Sequence, residues 1–139
     1  MNRHQARELA FSLIFEREFD KEREACELYD TAKAVRSAEE SKYVRTVTAG
    51  VAAEEAALEA AIAEAAKGWS LSRISKVSLA ILKLSAYEML YCPDIPIRVS
   101  LNEAVELVKA YDEEAARGFV NGILNTLAEK AKAVRSDEA

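Results

Sequence analysis

The chain has 139 residues, half of them apolar and 31% charged, with 24 acids, 19 Lys and Arg, one His and a net charge of −5. A length of this order fits one domain that hides about two-thirds of its unfolded surface. The acidic balance excludes a protein that coats nucleic acid non-specifically, because such binding rests on neutralising many phosphates, and leaves room only for a local site. Ala, Glu, Leu and Lys dominate, with four Gly and two Pro, a composition that favours an all-α fold. Asn2 is a candidate N-cap for a first helix in which Ala6, Leu9, Ala10, Leu13 and Ile14 recur at helical spacing, with Phe11 and Phe15 widening the apolar face. Residues 22–34 read as a second helix with a thin stripe of Cys26, Leu28, Tyr29 and Ala32. A long helix is expected over 38–67, carrying Tyr43, Val44, Val47, Val51, Leu58, Ile62 and Ala65, interrupted near Gly50 and stopped by Gly68.

Over 72–91 apolar residues populate nearly every side, the pattern of a helix buried all round. Residues 92–98, with Pro93 and Pro96, read as an extended linker. Ser100 and Glu103 have the spacing of a capping box, which places the next helix at 101–111. A final helix is expected over 113–132, so the domain spans 1–132 and the polar residues 133–139 form a flexible tail. In that last helix Gly118 and Gly122 lie one turn apart, each costing roughly 1 kcal/mol relative to alanine. Close approach of another backbone or a ligand is the usual compensation.

No run of 18 apolar residues and no apolar segment behind a basic flank is present; neither a membrane span nor a signal peptide is expected, and the protein should be cytoplasmic. Cys26 and Cys92 are single and far apart, which fits neither a metal site nor a disulfide framework; they read as reduced, buried thiols. An enzyme is not expected. The only histidine is His4, and no phosphate-binding glycine loop, zinc-protease helix or nucleophile elbow occurs. No cofactor or metal is implied. The acidic pairs Glu39-Glu40, Glu54-Glu55 and Glu113-Glu114 are adjacent, so they diverge on a helix and read as solvated faces. Residues 68–91 carry Arg73, Lys76 and Lys83 against Glu88 alone, a local positive balance. Arg3, His4 and Arg7 form a small basic tip where a helix N-terminus also offers amide donors to phosphate. Ordinary surface charge, with Arg3 or Arg7 paired to Glu8, fits the same spacing.

S-L-N-E-A-V-E-L-V-K at 100–109, F-V-N-G-I-L at 119–124, I-L-K-L-S-A-Y-E at 81–88, Pro96 and R-E-L-A-F-S-L-I-F at 7–15 together resemble the NusB family of transcription antitermination factors. The resemblance spans nearly the whole chain. It implies a compact all-helical domain of two three-helix subdomains, the second beginning after Gly68. It also implies binding of single-stranded boxA-type RNA together with NusE, a ribosomal small-subunit protein, in the RNA polymerase antitermination complex, chiefly during ribosomal RNA synthesis. By that resemblance the first helix binds RNA through Arg3, His4 and Arg7, which stand for the arginine cluster usual in the family, and through Phe15. Single-stranded RNA is held by bases stacking on aromatics while cations hold the backbone, which adds Tyr111, Arg117 and Phe119 as candidates. Phe119 equally fits a core position beside Val120, Ile123 and Leu124. Glu88, Glu113 and Glu114 are the acids that would meet a basic partner. Ser78 and Ala115 are uncharged where the family often carries an acid. The alternatives are a NusB-like protein-interaction domain without its own RNA specificity and a homodimer packed over the Gly118/Gly122 face.

Overall fold

A computed structural model describes residues 2–22, 27, 29, 30 and 42–138, with side chains through 135. Among the described residues there is no strand; Glu27, Tyr29 and Asp30 are helical, and six α-helices and one short 3₁₀ turn have defined bounds. They are α1 (Arg3–Arg17), α2 (Lys42–Ala53), α3 (Glu55–Ala65), the 3₁₀ turn Leu71–Arg73, α4 (Lys76–Tyr91), α5 (Ile97–Tyr111) and α6 (Glu114–Glu138). The expected helix over 22–34, Cys26 and the pair Glu39-Glu40 fall largely or wholly outside the described residues.

Asn2 caps α1 as its sequence position implies. Its Oδ1 accepts from the Gln5 amide at 2.8 Å, and its own amide donates to Gln5 Oε1 at 3.1 Å, so two of the four orphan donors are satisfied reciprocally. The long helix expected over 38–67 is two helices, and they part at Glu54 (φ −104°, ψ 19°), not at Gly50. Gly50 serves packing: a Cβ there would lie 2.2 Å from the outer end of the Tyr87 ring, so any larger residue would force that ring to shift where α2 meets α4. Gly68 does end the run, with φ +94° after Lys67 at +47°.

α4 is the hub. It packs against α1, α2, α3, α5 and α6, and Leu79 through Leu84, Ala86 and Met89 are buried on every side of it. A fully buried Leu or Ile contributes about 1.5–3 kcal/mol, so this one helix anchors the core. Around it α1–α3 and α4–α6 make the two groups of three. Two charged residues of this helix are buried, Lys83 at 0% and Glu88 at 1% exposure. Lys83 Nζ donates to Glu18 Oε1 at 2.5 Å, Glu59 Oε2 at 3.0 Å and Glu55 Oε2 at 3.3 Å. Arg17 and Lys21 balance those acids from the rim, Arg17 Nη1 lying 2.7 Å from Glu55 and Lys21 Nζ 3.1 Å from Glu59. A buried cation survives only when paired in this way. The reading of Glu54-Glu55 as a solvated face is therefore corrected at Glu55.

The capping box predicted at Ser100 is not one. α5 begins four residues earlier, after Pro96, whose fixed φ and missing donor suit a helix start; Ser100 is buried in the helix and donates to Glu88 Oε1 at 2.9 Å. The last helix also outruns the expected end at 132 and reaches Glu138. Arg135 explains the extension: its guanidinium donates to the carbonyls of Glu88, Met89, Cys92 and Ile95 at 2.8–3.2 Å, satisfying the open C-terminal end of α4. Cys92 is a free thiol, half-buried where full burial was expected. Among the described residues no helix is long and apolar enough to cross a membrane.

Candidate nucleic-acid interface

The N-terminal turn of α1 presents Arg3 and His4 to solvent, while Arg7, one turn on, points inward. Arg3 lies over the Tyr43 ring of α2, guanidinium to centroid 4.5 Å, a stacked arrangement that holds the cation while leaving its donors free. His4 sits between two acids: Nδ1 is 3.0 Å from Glu103 Oε2, and Nε2 is 3.6 Å from Glu8 Oε1. The hydrogen bond to Glu103 holds the His4 pKa above its ordinary value against slight desolvation, and the charges of Glu103, Glu8 and Glu106 add to it. Glu8 also accepts from the Tyr111 hydroxyl at 2.6 Å. Glu8 and Glu103 thus bring His4 of α1 together with Tyr111 at the end of α5.

From Tyr111 a row of rings runs along α1. Tyr111 meets Phe11 at 5.0 Å, Phe11 stacks on Phe15 at 6.2 Å, and Phe15 meets Phe19 edge-on at 5.1 Å. Phe11 is buried, Phe15 half-buried, and Tyr111 and Phe19 exposed. Lys76, at the start of α4, places its ammonium 5.3 Å from the Phe19 ring. Phe11 and Phe15 share a face of α1 through their i, i+4 spacing, and Phe19, in the turn that follows the helix, brings its ring against Phe15.

Two expected site residues turn out to be structural. Arg7 is 4% exposed and Glu88 1%. The Arg7 Nε and Nη2 donate to the Glu88 carboxylate at 3.0 Å each, Ser100 and the Tyr43 hydroxyl donate to the same carboxylate, and every strong acceptor site is occupied. Burial opposes the Arg7 charge, but the hydrogen bonds and charge of Glu88 outweigh it and raise the pKa. Burial, with Glu88 beside it, likewise pushes the Tyr43 hydroxyl up. Neither Arg7 nor Glu88 presents its charge at the surface. They join α1 to α4 and α5 beneath the exposed tip.

The other expected residues lie around the α5–α6 turn and on α6. Glu113 and Glu114 are exposed there. Arg117 is half-buried, its Nη2 donating to the Lys109 carbonyl at 3.1 Å. Phe119 is half-buried against Trp69, ring centroids 5.2 Å apart. Ser78 Oγ donates to Asp112 Oδ2 at 2.6 Å, tying the start of α4 to this turn. Tyr43, Phe19 and Trp69 were not singled out from the sequence as site residues. Phe19 continues the i, i+4 series of Phe11 and Phe15, and Trp69 is the lone tryptophan beside a helix-stopping glycine; both signals were legible.

Among the described residues the fold is all-helical, with a packed centre and with aromatic and cationic side chains at its surface. The pattern of the NusB family matches residues 4–129, and the chain belongs to the NusB family. A relative from Acetivibrio thermocellus named transcription antitermination protein NusB is 40% identical over 138 residues, 99% of this chain and 94% of that protein. Among solved structures, NusB of T. maritima superposes with a TM-score of 0.78 at 29% identity, covering 93% of this chain and 92% of that one. A chain from a structure of the antitermination factors NusB and NusE with double-stranded RNA shares the fold, with a TM-score of 0.81 at 21% identity over 94% of this chain and 99% of its own.

Proposed function

We propose that this protein is a non-catalytic transcription antitermination factor that binds boxA-type single-stranded RNA together with NusE and supports ribosomal RNA transcription in the cytoplasm. The observation that carries the reading is the 40% identity along 99% of the chain to a transcription antitermination protein NusB. The surface chemistry is consistent with it. Arg3 and His4 offer cations at a helix N-terminus, and Phe15 and Tyr111 belong to a partly exposed row of rings that unpaired bases could extend by stacking. Arg117 and Phe119 continue the RNA path onto α6. Arg7 and Glu88 act beneath this surface by fixing α1. Glu113 and Glu114 present acid to a basic partner, which we assign to NusE, within the RNA polymerase antitermination complex.

The net charge of −5 is compatible with RNA binding shared between two proteins. Two modest surfaces on one strand gain affinity through effective concentration and need no large basic patch on either. The test is binding of a boxA-type RNA and a scrambled RNA, each with and without NusE, at two salt concentrations. Sharper discrimination in the presence of NusE supports the reading. Absence of RNA binding under all eight conditions would leave a NusB fold used for protein contacts alone, and light scattering would then show whether the partner is a second copy.

A further inference from the structure

We propose that Trp69, Lys67 and Arg73 form a second nucleotide platform, where an unpaired RNA base stacks on the exposed indole and its neighbouring phosphates meet the two cations. The proposal rests on the RNA-binding reading above and carries the RNA path to a face which that reading does not include.

The chain reverses at the end of α3 through Lys67 and Gly68, both at positive φ (+47° and +94°). The reversal throws Trp69 outward, leaving it 51% exposed with its other side against Phe119. Tryptophan combines a large apolar ring with a polar N–H and is enriched where proteins meet partners, which makes this exposed ring available for stacking. Among the described residues nothing accepts a hydrogen bond from its indole N–H. Two concavities meet at this ring. One of about 520 Å³ is lined by Lys67, Gly68, Trp69, Ser70 and Arg73. The other, of about 330 Å³, runs between Trp69 and α6 over Phe119, Gly118 and Gly122.

The occupant is argued from charge. Lys21, Lys83, Lys109, Lys130, Lys132 and Arg17 are all ion-paired. Lys67 and Arg73 form no ion pair among the described residues. Two uncompensated cations flanking one indole, in a chain of net charge −5, match an aromatic face and a phosphate separated by a sugar, the pairing through which single strands are held. An apolar helix of a protein partner is a poorer fit, because Lys67, Gly68, Ser70 and Arg73 make one wall polar. The floor suits a flat ligand. A Cβ at Gly118 or Gly122 would meet nothing within 4 Å, so the glycines that the fold does not need leave bare helix backbone open to a base edge. Phe119, directly against the indole, already belongs to the proposed RNA path, which makes the two surfaces continuous.

Trp69 is the only tryptophan, so intrinsic fluorescence reports this ring alone. A dye-labelled boxA-type RNA is titrated with and without NusE, anisotropy giving total binding and indole emission giving contact at Trp69. The expected result is quenching that saturates with the anisotropy. Trp69→Leu should weaken RNA at least about fivefold while Trp69→Phe retains most affinity. Lys67→Ala and Arg73→Ala should each flatten the salt slope by about 0.7, and both are exposed positions where the fold is not at risk. RNA binding by anisotropy with unchanged emission and wild-type affinity in Trp69→Leu would overturn the platform and leave the RNA reading standing. Emission that responds to NusE alone, or to protein concentration, would assign the groove to a protein and overturn it too. No RNA binding in any arm would remove both readings.

Discussion

Arg3 and Arg7 lie four residues apart on one helix, yet the fold gives them opposite tasks. Arg3 is exposed over Tyr43, whereas Arg7 is buried against Glu88 with Ser100 and Tyr43 completing the carboxylate shell. Removing one member of a buried pair strands the other charge, at about 3–5 kcal/mol. Arg7→Ala should therefore lower Tm by about 10 °C or more. Arg3→Ala should leave Tm unchanged and flatten the salt slope of RNA binding by about 0.7. Equal loss of stability in both variants would contradict the division. His4 supplies a pH test. Its pKa is raised above 6.5 by the Glu103 hydrogen bond and the surrounding acids, so its contribution to the tip is fully present below about pH 6.5 and is lost as pH rises through the folded-state value. As the only histidine, it gives a single imidazole signal by NMR. The midpoint should lie above 6.5 and drop in Glu103→Gln; a midpoint at or below 6.5 would remove the pairing.

At the scale of elements the glycines divide by what surrounds them. Gly50 faces the Tyr87 ring at 2.2 Å from an added Cβ, while Gly118 and Gly122 face open space. Gly50→Ala should cost about 1–3 kcal/mol through overpacking, and shortening Tyr87 to Leu should restore part of it. Gly118→Ala and Gly122→Ala should each stabilise α6 by roughly 0.5–1 kcal/mol, because helix propensity is gained with no clash. Thermal melts of the three variants check the signs. The sequence pattern revealed α1 well, since its cap and apolar period agree, and α4 by its all-round apolar run, four residues too long at its start; it ended α6 six residues short. It misplaced the start of α5 because Ser100 and Glu103 have capping-box spacing whether or not a helix begins there. Pro96, the competing signal, prevailed, and the serine was drawn instead to a buried acid supplied by another helix. Glu88 was expected to face a basic partner, and its burial, like that of Lys83, escaped the sequence for a related reason. A charged residue on a helix that is apolar all round must be buried and paired, but its partners on α1, α2, α3 and α5 are up to 81 residues away, and no local pattern encodes them.

The whole molecule is closed by its last helix. Arg135 lies 43–47 residues from the carbonyls of Glu88, Met89 and Cys92 and 40 from that of Ile95, and it donates to all four. One side chain thus completes the end of the central helix, the turn that follows it and the end of α6. Composition identified residues 133–139 as polar, but polarity alone does not separate a free tail from a helix whose arginine finds open carbonyls in the tertiary structure. Hydrogen bonds from a charged donor contribute about 1.5–3 kcal/mol, and the carbonyls left behind lose their partner in a half-buried place. Arg135→Ala should therefore lower stability by about that amount, and truncation after Lys132 should do the same. Arg135→Lys should recover little, because an ammonium cannot span four acceptors that a planar guanidinium reaches at once. Denaturant melts distinguish the outcomes. If truncation leaves the midpoint unchanged, α6 ends functionally at 132 and the clamp contributes nothing; if it falls together with Arg135→Ala while RNA binding per folded molecule is retained, the C-terminal turns hold the hub helix and do not take part in the binding surface.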